Sequence, residues 1–243
     1  MDSLFREPLF YIYFIYGMSF LVMAVVTMRG IRRATSLVLV TAFETLVVFG
    51  FTHGIREFFD WARFIRNATG RPAVAWVNFT GDVFLIFSFV VLLQFAVNLL
   101  SYRSERRMEY RLIPALLVAA GIVAMVATRT YDSDQVALYV RRSFGFAGAL
   151  LSGVAFCKLE LAMRAIESAR VETGLILGAV GFFAYSVFGG LIVTTVAGEP
   201  VQLFRALCAF TIAVASTLFL GVFRECEDER SSRSEDHRTR PVR

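Results

Sequence analysis

His53, Glu57 and Asp60 are spaced i, i+4, i+7 where an apolar stretch meets a more polar one, which stacks their side chains on one face of a helix. An imidazole beside two carboxylates has three uses. At a helix end the three can face water or lipid headgroups, with Arg56 and Arg63 as charge partners. They can form one wall of a polar pocket for a ligand. They can also ligate a divalent cation, because imidazole and carboxylate donors suit one, although a stripe on one helix is a thinner metal signature than paired Cys or His motifs. Imidazole titrates near neutrality, so His53 would add pH sensitivity to a pocket. No nucleophile motif accompanies His53 and Glu57, so no catalytic residue is assigned and no enzymatic activity is expected.

Other polar residues interrupt apolar stretches, and ionisable side chains there are functional candidates. Glu44 falls near the middle of its stretch, as an interhelical hydrogen-bonding group or a proton-responsive one. At nine positions from His53 it lies on a different face. Asp82 sits about two turns into the next stretch, Arg141 opens a later one, and Gln202 and Arg205 begin the last. On a helical bundle these residues fall at one depth, with opposite charges on different helices. That pattern makes either a structural ion-pair network or a pocket, and the ligand-binding candidates are His53, Glu57, Asp60, Asp82, Arg141, Gln202 and Arg205.

The elements that position them are membrane spans. Of 243 residues 57% are hydrophobic and only five are proline, with a mean hydropathy of +0.62, a composition for lipid rather than water. A hydrocarbon core about 30 Å thick needs about 20 apolar residues per helix. Seven stretches qualify, near 9–28, 36–57, 76–100, 112–129, 144–163, 173–196 and 201–223. Unbroken apolar runs rather than alternating ten-residue ones exclude a β-barrel. The expected fold is an all-α seven-helix transmembrane bundle over 1–223, followed by a charged cytoplasmic tail, 224–243, too poor in apolar residues to build a core and expected to be disordered. The first run is too long, and its flank too acidic, for a cleavable signal.

Arginine placement sets the orientation. Loop arginines nearly balance, with Arg29, Arg32, Arg33, Arg103, Arg106, Arg107, Arg111, Arg164 and Arg170 on one side and Arg6, Arg56, Arg63, Arg66, Arg71, Arg129, Arg141 and Arg142 on the other. The six tail arginines tip the count, so the N-terminus is expected outside and the C-terminus in the cytoplasm. The net charge of +5 is mostly this anchoring arginine and gives no argument for nucleic acid. Cys157, Cys208 and Cys226 match neither a zinc site nor a disulfide framework. The sole lysine, Lys158, stands at the inner end of its span, where a retinal Schiff base is not expected. His53 is the only histidine in the apolar region, a poor set for haem.

Three segments together carry a family resemblance: Phe49-Gly50 through His53-Gly54-x-x-Glu57-x-x-Asp60; Arg141 through Gly145-Phe-Ala-Gly-Ala149; and Gly198-Glu-Pro-Val-Gln-Leu-Phe-Arg-Ala206. With Tyr16-Gly17 and Phe20 they resemble the N-terminal multi-pass sensor region of bacterial sensor histidine kinases and diguanylate cyclases, over nearly all of 9–223. Ala147 stands where that pattern has proline, and no output domain is recognisable after 223. The resemblance implies a bacterial inner (cytoplasmic) membrane protein with an input role. The expected partners are the lipid bilayer, a cytoplasmic kinase or cyclase, and a second copy of the chain. It names no ligand and the cofactor is unknown. The alternative is a membrane binding or transport protein for an ion, a metal or a redox cofactor such as haem or quinone.

Overall fold

Pro8 opens the first helix, where its missing N–H would have had no intrahelical acceptor and its fixed φ suits the turn. The structure is a computed structural model and describes residues 7–32, 37–72, 74–101, 114, 133–163, 168–192 and 200–239. Its long helices are α1 (Pro8–Ile31), α2 (Leu37–Ala68) and α3 (Ala75–Leu100). Next comes α4, an α-helix over Ser133–Val140, a π segment over Arg141–Gly145 and an α-helix over Phe146–Met163. Helix α5 runs Ala169–Tyr185 and continues as a π segment, Ser186–Leu191, and α6 runs Pro200–Thr239. No strand occurs among the described residues.

Among the described residues, five helices are long and apolar enough to cross a membrane, α2 not being one of them: Pro8–Ile31, Ala75–Leu100, Asp134–Met163, Ala169–Leu191 and Val201–Gly221. The stretch expected near 112–129 lies outside the described residues apart from Pro114, as do the basic run Arg103–Arg111 and the loop between 128 and 132. Each helix packs on its neighbours in described chain order, and α6 returns to α1, closing a ring. The ring encloses two levels of aromatic packing. At one, Phe43, Phe95, Phe156, Phe182 and Phe219 pack ring on ring from α2, α3, α4, α5 and α6. At the other, Phe20, Phe49, Phe89 and Tyr185 surround His53.

Glycine sets the closeness of α1 to α2. A Cβ on Gly54 would lie 3.0 Å from Gly17 O, and one on Gly50 would lie 2.9 Å from Phe20 O. Such backbone contact needs small residues, because bilayer helices associate by packing rather than by expulsion of water. The same contact presses Tyr16 and Phe20 onto His53.

Two boundaries differ from the sequence expectation, and both move site residues inward. Helix α2 does not end near 57 but runs to Ala68. Its extension carries Asp60 between Arg56 at i−4 and Arg63 at i+3, pairs that support a helix. It stops in a Schellman turn: Arg71 N donates to Arg66 O (2.9 Å), Gly70 N to Asn67 O (3.1 Å), and Gly70 takes a φ of 66°. His53 and Glu57 are therefore in the bundle and fully buried, not at a headgroup surface. Likewise α4 begins at Ser133, about three turns before the expected start at 144, so Arg141 lies within the helix and not at its mouth. At the other end, the α6 backbone continues as helix to Thr239, through the charged segment set apart from the bundle by composition.

Candidate functional site

The centre of the site is the His53 imidazole, whose two nitrogens meet three helices. Nδ1 lies 3.0 Å from Ser88 Oγ on α3, and Nε2 lies 2.8 Å from Tyr185 Oη on α5 and 3.4 Å from Tyr16 Oη on α1. The hydrogen positions follow from the donors available. Ser88 Oγ has one hydrogen, given to Leu85 O at 2.8 Å, so towards His53 it accepts. Nδ1–H therefore donates to Ser88, and Nε2 accepts from the Tyr185 hydroxyl. Neither tyrosine nor Ser88 was a sequence candidate. Their positions 37, 132 and 35 residues from His53 leave no trace in local periodicity. The one hint was Tyr16-Gly17 among the segments that carry the resemblance.

One turn along α2, Glu57 Oε1 approaches His53 Nε2 to 3.5 Å and accepts from Arg141 Nη2 at 3.2 Å. Both π segments serve this junction. Arg141 is the first residue of one, and Tyr185 directly precedes the other. π turns recur at functional sites because the wider turn re-aims a side chain. The two π segments pack on one another, and a Cβ on Gly190 would lie 2.7 Å from Phe146 Cα.

Further towards the same end of the bundle, Arg56 Nη1 is 2.5 Å from Asp60 Oδ1, and Arg63 Nη1 donates to the same oxygen at 3.3 Å. Arg63 Nη2 reaches Asn78 O at 2.8 Å and Asp82 Oδ1 at 3.6 Å, so Asp82 supports the wall from behind. Arg205 is bound into the end of α5. Its Nε donates to Phe188 O (2.5 Å), Nη2 to Ile192 O (2.9 Å) and Nη1 to Gln202 Oε1 (3.1 Å). Those carbonyls belong to the end of a helix and its following turn, groups that otherwise lack donors.

Between these residues lies a cavity of about 320 Å³. Its mouth carries the exposed Asn67 and Asp134, and its inner wall the buried Arg56, Arg141, Gln202 and Arg205. Of the sequence candidates, Asp60, Arg141, Gln202 and Arg205 line it, while His53 and Glu57 lie beneath it, linked through Arg141. Glu44 is elsewhere, exposed on the outside of α2 with Val48 one turn on. The metal site weighed from the sequence is not assembled. Among the described residues no three His, Cys, Asp or Glu side chains form a group that would hold an ion, because Arg56 and Arg63 hold Asp60 and Arg141 holds Glu57 Oε1.

No protein-family model, curated protein or solved structure matches the chain. The functional reading therefore stands on this geometry.

Proposed function

We propose that the protein is a seven-span inner-membrane sensory module that binds a small ligand in the cavity and passes the change along α6 to a cytoplasmic signalling partner. Five of the proposed spans are the apolar helices α1, α3, α4, α5 and α6, the sixth is α2, and the seventh is the apolar stretch expected from the sequence near 112–129. The N-terminus is outside, which puts the cavity at the outer face. The observation that carries the reading is the continuous path of polar contacts from the cavity into the core. Arg141 on the wall holds Glu57, Glu57 touches the His53 imidazole, and His53 holds Tyr185 on α5. A ligand that draws Arg141 away from Glu57 changes what faces His53. A ligand shifts an equilibrium only by its differential affinity for two packings, and the adjoining π segments are where α4 and α5 have a register to change. Helix α6 gives Gln202 and Arg205 to the cavity and runs on for most of its 40 residues, so its far end can report a change of packing.

The test is a thermal-shift screen of small metabolites on protein purified in mild detergent, followed by amide exchange on a compound that stabilises it. The expected compound raises Tm in the wild type, not in Arg141→Gln, and alters exchange in residues 222–239. Stabilisation with no change there would leave a binding protein and remove the signalling role. A visible spectrum and metal analysis of the same sample test the alternative: a chromophore or one metal per chain, lost in His53→Ala, would replace the diffusible ligand with a cofactor.

A further inference from the structure

Four guanidinium groups, Arg56, Arg63, Arg141 and Arg205, line the cavity against two carboxylates, Asp60 and Asp134. Asp60 is already engaged by Arg56 and Arg63, and Asp134 is exposed at the mouth. The unsatisfied hydrogen-bonding capacity of this wall is one-sided. Arg56 Nε, Arg63 Nε and Arg141 Nη1 are buried donors without an acceptor, while no carboxylate oxygen of the lining residues is buried and unpartnered. Glu57 Oε2 is buried without a hydrogen bond, but Glu57 does not line the cavity. Arg56 is 2% exposed and Arg141 8%. A buried N–H without an acceptor is costly, and a guanidinium N–H can be satisfied only by an acceptor.

We propose that the cavity binds a compact oxyanion, a small carboxylate or phosphate, held by Arg56 and Arg141. The proposal rests on the reading of this cavity as the ligand site and supplies its chemistry. Guanidinium groups pair with planar or tetrahedral oxyanions by charge-assisted, often bidentate hydrogen bonds. At about 320 Å³ the space is at the small end of the roughly 300–1,000 Å³ of small-molecule sites, which suits an anion of a few carbons better than a nucleotide or lipid. An oxyanion on Arg141 Nη1 also competes with Glu57 for the same guanidinium. Charge in the ligand is then what reaches His53.

The test is the modification of one introduced thiol by charged reagents. Leu138→Cys places a thiol on the cavity wall in a chain whose Cys157, Cys208 and Cys226 are replaced by serine. Its reaction with an anionic and a cationic methanethiosulfonate is followed in detergent, each rate divided by that with cysteine in solution. A positive wall concentrates anions. The expected result is a preference of about tenfold or more for the anionic reagent, reduced in Arg56→Gln, with protection by millimolar succinate or by inorganic phosphate. Protection by succinate alone identifies a carboxylate site and by phosphate alone a phosphate site. Equal rates, a cationic preference, or protection by neither anion overturns the proposal while leaving a water-accessible cavity. Failure of both reagents to react removes the cavity itself, and with it the ligand-binding reading.

Discussion

Tyr185 Oη and His53 Nε2 are 2.8 Å apart, although 132 positions separate them in the chain. The bond ties α5 to α2 across the ring and sits where α5 passes from α to π geometry. Tyr185→Phe keeps the ring, which packs on Phe20 and Phe49, and removes only the donor. Hydrogen bonds within membrane bundles average about 0.6 kcal/mol, with a maximum near 1.7. This one is buried on both sides, so a loss of about 1–1.5 kcal/mol in reversible unfolding is expected. In a double-mutant cycle with His53→Phe, a coupling energy of about 1 kcal/mol marks a direct bond. Additive losses would show that the tyrosine contributes only packing.

The Glu57–Arg141 pair is buried on both partners, and its single and double variants should rank in an order opposite to intuition. Removing one partner leaves the other charge buried and uncompensated, at about 3–5 kcal/mol. Replacing both by apolar residues of similar size removes the desolvation along with the attraction. Glu57→Leu and Arg141→Leu should each destabilise strongly, and the double variant less than either. A double variant as unstable as the sum of the two would mean that the ions act independently, and the path from cavity to core would lose its middle step.

Two glycines on helices separate close packing from helix propensity. At Gly54 a side chain meets Gly17 O and Leu21 within 3.0 Å, whereas at Gly221 nothing lies within 4 Å. Gly54→Val should force α1 from α2 and cost about 2 kcal/mol or more by overpacking. Gly221→Ala should gain up to about 1 kcal/mol, the propensity difference in a helix interior. Unfolding midpoints of the two variants, measured in one detergent, check both signs. Equal small shifts would show that α1 and α2 do not approach this closely.

Much of this arrangement was legible in residue spacing. Apolar length found five helices long enough to cross a membrane among the described residues, and the i, i+4 spacing put His53 and Glu57 on a shared face, as their contact shows. Depth alone brought Arg141, Gln202 and Arg205 towards Asp60, and all four line the cavity. What spacing did not give is azimuth, the direction in which a helix face points. Glu44 and His53 share α2, yet one is exposed and the other enclosed, since hydropathy in lipid does not separate outside from inside as it does in water. The partners of His53 were hidden for a related reason. Tyr16, Ser88 and Tyr185 come from three other helices, and a local pattern carries no record of which helices meet. The end of α2 was misplaced because the polar residues after 57 read as surface, whereas their mutual pairing carries the helix on to the Schellman turn.

Arg205, an ionisable residue in an apolar stretch, has hydrogen-bond partners and also lines the cavity. Two of its nitrogens hold Phe188 O and Ile192 O, and a third holds Gln202, while the side chain lines the cavity. This separates it from Arg56 and Arg141, whose free N–H groups await an acceptor. Arg205→Lys retains a charge but offers a single ammonium in place of a planar fork spread over three acceptors. The end of α5 should loosen as its carbonyls lose their donors. Amide exchange in residues 186–192 should quicken by about tenfold, the equivalent of about 1.4 kcal/mol in local opening. Exchange in α3, which Arg205 does not bond, should stay as in the wild type. The anion preference of the thiol introduced by Leu138→Cys should persist when Arg205→Lys is added, because the charge remains and Arg56 and Arg141 are untouched. If the preference vanished while residues 186–192 kept their protection, Arg205 would belong to the ligand rather than to the helix end, and the anion would sit against α6 instead of α2 and α4.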